Sequence, residues 1–300
     1  LPYATREEGV RIPTLAVLLI VTARAAPAAE PPPLGFELLA DGSIVVPVSI
    51  AGAGPFRFVV DTGSTRTAVS QRLASALRLP TVATSALVTP AGQRTERIVI
   101  LSGLSLGDLA PTQVQALVSP RDDFAAGRRI DGLIGQDLLA PLVYTIDYGR
   151  RHIAWNSEPE NRQGTRLPLD YANGRFVVTL PQKQDEPAPL QFIPDSGSDG
   201  FVLFARGSRP LPASTPMDVG VLSTLAGHTL VRRVLVDELR IGSIVLRDQL
   251  AVIVQQPSAG MPFGDGLLPL HVFGRVTFNG PGRYLVIEEK RGVRQRARTR

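Results

Sequence analysis

Phe58–Ser70 reads FVVDTGSTRTAVS. An apolar run ends in Asp61, three small residues (Thr62, Gly63, Ser64) follow, and apolar residues soon resume. One such site is weak evidence, because Asp, Gly and Ser are ordinary turn formers. Gln191–Leu203, QFIPDSGSDGFVL, decides the matter. There an apolar run meets Asp195, then Ser196, Gly197 and Ser198.

The resemblance continues downstream at matched spacing. Ala91-Gly92-Gln93 corresponds to Ala226-Gly227-His228, "LSLGDL" to "LRIGSIVL", and "DGLIG" at 131–135 to "DGLLP" at 265–269. Each stretch closes on a strand-like segment, YTIDYGRRHIAW and VTFNGPGRYLVIE. An internal repeat of this kind dictates architecture. The chain therefore reads as two homologous lobes, 34–155 and 167–289, joined by the polar linker 156–166. Short runs of Val, Ile and Leu between 28 glycines and 26 prolines predict a mostly β protein. One helix is expected after Ser70, a plausible N-cap, over QRLASALRL up to Pro80. Gln136–Leu139 is expected to form a second, short one.

Two carboxylates brought together across a pseudo-twofold axis cannot both ionise easily, so the pair shares a proton. The ionised member can activate a water, and the protonated member can donate to a carbonyl oxygen. The titration then belongs to the pair. The remaining motif residues suit this chemistry. Gly63 and Gly197 permit a tight turn. Ser64 and Ser198 are expected to donate to the outer carboxylate oxygens, and Thr62 and Ser196 to bond across to the opposite loop.

This duplicated motif resembles that of the pepsin/retropepsin-type aspartic peptidases. The first lobe is similar to the retropepsin-like bacterial branch, in which an apolar-apolar-Gly element follows. Here it is Leu133-Ile134-Gly135, continued by Gln136-Asp137-Leu138-Leu139. The resemblance covers about 40–155 and, less closely, 174–287. It implies a mostly β, bilobal acid-protease fold with a central cleft and with Asp61 and Asp195 as the catalytic pair. It also implies flaps near Ala91, Gly92, Gln93 and Ala226, Gly227, His228 that cover an extended peptide. The second lobe departs from the pattern: Pro194 precedes Asp195, Pro269 replaces the glycine, and Asp199 adds an acid. These departures leave open a peptide-binding protein with a degenerate second site. A dimer pairing two copies of Asp61 is another alternative.

Other classes find little support. The net charge is +5, but six basic residues lie in the tail Lys290–Arg300, so the rest of the chain is near neutral. That tail has no aromatic residue for base stacking and reads as a solvated end, so no nucleic-acid partner is expected. The absence of cysteine excludes disulfides and thiolate chemistry. His152, His228 and His271 lack metal-ligand spacing, and no metal or cofactor is expected. Asp131 and Asp265, each before a glycine, read as turn residues, and Trp155 as a packing residue. Arg11, the apolar stretch after it and the small residues at 23–28 have the order of a secretory signal. That leader, 1–33, predicts export without a stable membrane span. The expected protein is an exported monomer acting on peptides or proteins.

Overall fold

The computed structural model describes residues 32–120, 124–125, 128–156, 164–180, 189–205, 211–258 and 264–290. Most of the expected leader, 157–163 of the linker and 291–300 of the basic tail lie outside the described residues.

Among the described residues two sheets dominate. The first has eight strands, in the spatial order Glu37–Leu38, Ile44–Ile50, Ala53–Val60, Gly132–Ile134, Ala68–Ser70, Thr112–Ser119, Gly92–Ser105 and Ala83–Thr89. The second has thirteen. Its last seven are Arg175–Leu180, Leu190–Asp195, Gly266–Pro269, Phe201–Phe204, Ile244–Val254, Gly227–Ile241 and Ser214–Thr224. The two halves thus pair their strands in the same order. In each, the motif strand runs parallel to a short later strand: Phe58 opposite Gly132, and Phe192 opposite Gly266. In each, the strand after the motif crosses that short strand antiparallel, Ala68 opposite Leu133 and Val202 opposite Leu267.

The other six strands of the large sheet come from both halves. Leu34–Gly35, His152–Trp155 and Val143–Asp147 continue directly into Arg275–Asn279, Tyr284–Glu288 and Thr165–Ala172. Tyr144 lies opposite Phe278 and stacks on its ring at 4.9 Å between centroids. The boundary expected at 155 therefore falls within a shared sheet. Trp155 is buried there beside Tyr144. Near-continuous burial along the central strands Val143–Asp147, Arg275–Asn279 and Tyr284–Glu288, and a core running through Phe58, Tyr144, Phe176, Phe192 and Phe278, weld the halves together.

The helix after the first motif is shorter than its apolar pattern predicts. It spans Gln71–Ala76, with Ser70 Oγ accepting from the Leu73 N–H at 3.1 Å. Leu77 caps it and Arg78 turns left-handed (φ 51°), so the chain has left the helix before Pro80. Gln136–Leu139 is helical as expected. Among the described residues no helix is long and apolar enough to cross a membrane.

Candidate active site

Asp61 follows directly on its motif strand, Asp195 closes its own, and the two acids come together, each against the opposite motif's glycine. The approach leaves no room for side chains on the adjoining turns. A Cβ on Gly63 would lie 2.4 Å from Asp195 Cγ, and one on Gly197 would lie 2.8 Å from Asp61 Cγ. Each glycine in one motif thus makes room for the acid of the other.

Beneath the acids, the two loops interlock as expected of Thr62 and Ser196. Thr62 Oγ1 donates to the Pro194 carbonyl at 2.8 Å and accepts from the Ser196 N–H at 3.0 Å. Ser196 Oγ donates to the Val60 carbonyl at 2.6 Å and accepts from the Thr62 N–H at 3.1 Å. Four buried backbone groups find partners in this way.

The serine hydroxyls differ from expectation. Ser64 Oγ donates to the Arg66 carbonyl at 2.9 Å and Ser198 Oγ to the Gly200 carbonyl at 2.7 Å, not to the acids. Both loops curl so that main-chain N–H groups reach the carboxylates first. Asp61 Oδ1 accepts from Gly63 N–H (3.0 Å) and Ser64 N–H (2.9 Å). Asp195 Oδ1 accepts from Gly197 N–H at 2.8 Å.

The first loop is more firmly held. Gln136 Nε2 donates to the Thr62 carbonyl at 2.7 Å. The Asp137 carboxylate takes both the Thr67 N–H (2.9 Å) and its hydroxyl (2.8 Å). At the matching places the second half has Leu270 and His271, in a 3-10 turn after Pro269. Pro194 fits its strand, because pairing with Arg175–Leu180 stops at Phe192 and Pro194 is paired only on the Gly266–Pro269 side.

These surroundings make the pair unequal. Burial raises both carboxyls. For Asp61, the neighbouring Asp195 carboxyl, the two N–H groups and the charge of Arg175 oppose that rise. For Asp195, the charge of Asp61 adds to it and lifts the group well above the usual carboxylate range. Burial and the neighbouring charge therefore favour the protonated form of Asp195 more than that of Asp61.

Asp131 and Asp265 serve the scaffold through long-range bonds and not through the turn role expected of them. Their carboxylates accept the N–H groups of Arg57 (2.8 Å) and Gln191 (2.7 Å) on the motif strands.

Above the acids lies a cavity of about 860 Å³. Leu87, Leu117 and Leu133 line one side, and Ile193, Val202 and Leu267 the other. Two hairpins close over it, turning at Ala91 and Ala226 between paired strands. Gly92 and Gly227 follow at φ 155° and 150°. Gln93 continues the first hairpin, and His228 is bonded to Ser223 within the second. The tips meet: Thr89 Oγ1 and Thr224 Oγ1 are 2.8 Å apart. Three features of this site escaped the sequence reading: the threonine contact, the apolar walls and Arg175, whose Nε donates to the Gly63 carbonyl at 2.9 Å. Thr-x-Ala-Gly at both 89–92 and 224–227 was a legible sign of the first.

A β-rich fold thus brings one Asp-(Thr/Ser)-Gly-Ser loop from each half to a shared cleft. Residues 46–138 match the family model described as Aspartyl protease. Among solved structures, the chain is similar to conglutin gamma, a basic 7S globulin from lupine seeds. The two are 10% identical over 85% of this chain and 94% of that one, with a TM-score of 0.48. A comparison with curated proteins finds no match.

Proposed function

We propose that the protein is an aspartic endopeptidase that hydrolyses peptide bonds through a water activated by Asp61 and Asp195. The observation that carries this reading is the meeting of Asp61 and Asp195, one from each interlocked loop, at the base of a covered cleft. Asp61, as carboxylate, takes a proton from the water as it attacks the amide carbon. Asp195 gives its proton to the carbonyl oxygen, and a gem-diol forms. In collapse, the proton on Asp61 passes to the leaving nitrogen and a gem-diol hydroxyl returns its proton to Asp195. The new carboxyl group and amine leave the pair as it began. No covalent intermediate is needed.

The flaps exclude water from the cleft and supply main-chain partners to an extended peptide. They must part for substrate to enter. Both acids come from one chain, which supports a monomer over a dimer of first lobes. The signal-like leader supports export.

A second reading is a peptide-binding protein that does not cut. What favours it is the weaker support of the second loop, with Pro269 and Leu270 in place of Gly135 and Gln136. Digestion of a mixed peptide library from acid to neutral pH, beside Asp61→Asn and Asp195→Asn, separates the two. Cleavage lost in both variants supports the peptidase. Retained binding without wild-type cleavage at any pH supports the binder.

A further inference from the structure

The two halves differ at one charged position of the cleft. Gly42-Ser43-Ile44-Val45-Val46 in the first half corresponds to Gly174-Arg175-Phe176-Val177-Val178 in the second, each opening the strand ahead of a motif strand. Ser43 acts locally, its N–H donating to Asp41 Oδ1 at 3.0 Å. Arg175 instead reaches into the opposite half. Its Nε donates to the carbonyl of Gly63, two residues beyond Asp61, and its side chain lines the cleft.

A guanidinium suits this place. It can donate in its plane to a carbonyl while its charge faces carboxylates, and it keeps that charge when partly buried. Arg175 is half-buried, and its charge acts on Asp61 and Asp195 alike. The other charges around the cleft have other partners. Arg66 acts on Asp137, while Asp41 and Asp199 act on His271. Tyr148, which senses Asp195, is kept neutral by burial.

We propose that Arg175 is a positioning residue for the acid pair. From the second half it clamps the Asp61–Gly63 loop of the first. Its fixed positive charge sets the pH range over which the pair carries a single negative charge. Without that charge, both deprotonation steps of the pair move to higher pH, because each creates negative charge beside Arg175. This rests on the peptidase reading only for its effect on rate. The titration of the pair does not depend on turnover.

The test is carboxyl 13C NMR of the full chain labelled at aspartate, for wild type, Arg175→Gln and Arg175→Lys. Gln retains an N–H donor for Gly63 without the charge, and Lys retains the charge. In Arg175→Gln both steps of the pair should rise by about one pH unit, the lower end of what a nearby opposite charge contributes. In Arg175→Lys they should stay near wild type. The two limbs of the kcat/KM profile should move alkaline together in Arg175→Gln. Unchanged titration in Arg175→Gln, with only a lower melting temperature, would overturn the proposal and leave Arg175 a structural residue. Should Arg175→Gln not fold, Arg175→Met, which also lacks the charge, decides: a rise of both steps supports the charge role, and wild-type titration refutes it. A shifted titration in a protein that cleaves no peptide would sink the peptidase reading and leave this inference standing.

Discussion

Replacing Thr62 by valine removes one oxygen and almost no volume. Thr62 is 0% exposed and Ser196 1%, so no water can substitute for what is lost. The Pro194 carbonyl loses its donor and the Ser196 N–H its acceptor. Each orphaned buried group costs roughly 1–3 kcal/mol, so the variant should be less stable by about 4 kcal/mol. For a chain of this size that corresponds to a melting point lower by about 10 °C in scanning calorimetry. Thr62→Ser keeps the oxygen and loses a methyl group, so it should cost only about 1 kcal/mol. The pair of variants isolates the hydroxyl. If Thr62→Val melted within about 2 °C of wild type, the interlocking loops would not be holding the two motifs together. The argument from buried backbone groups would then be wrong.

Asp195→Asn should lower kcat by at least about 10³-fold, as expected for loss of an acid-base group, yet it should melt above wild type at pH 7. The sign follows from linkage. A carboxyl whose folded pKa is raised contributes stability below its unfolded pKa and loses it as pH rises through the folded value. The advantage of the amide should therefore shrink on acidification, which calorimetry across pH will show. Gly197→Ala, placing a Cβ against Asp61, should abolish peptide cleavage while far-UV dichroism still reports a β protein. Thr224→Val removes the contact between the hairpin tips. Amide exchange at Ala91 and Ala226 should then accelerate with little change in melting temperature. Asp147 is raised by burial, but the Arg150 N–H and Arg275 outweigh this and hold it below the usual carboxylate range. Asp147→Asn should cost about 3 kcal/mol at neutral pH. The cost should fade as pH drops through the depressed pKa, as urea titrations at several pH values will test.

The acid pair was legible because its motif occurs twice, and the repeat made a common turn sequence improbable as a mere turn. The glycines and the Thr62–Ser196 exchange were legible for the same reason. The roles of Ser64 and Ser198 were not. A tight loop delivers its own N–H groups to the acid, and residue identity does not record that curl. Helix extent was over-read because Leu77 and Leu79 continue the apolar pattern while Arg78 takes a left-handed turn.

The sequence by itself determined the strand-rich character, the two motifs and the repeat that carries them, since these follow from local patterns; the strand order within each half came from the structure. Tertiary structure decided what crosses between the halves. The shared sheet joins Val143–Asp147 to Arg275–Asn279, although each strand also reads as the close of its own half. Arg175 meets Gly63 across 112 residues of chain, and Thr89 meets Thr224 across 135. Local patterning fixes which face of a strand is buried. Which distant carbonyl or charge a side chain reaches depends on how the two halves pack, and that packing is where the acids become an unequal pair.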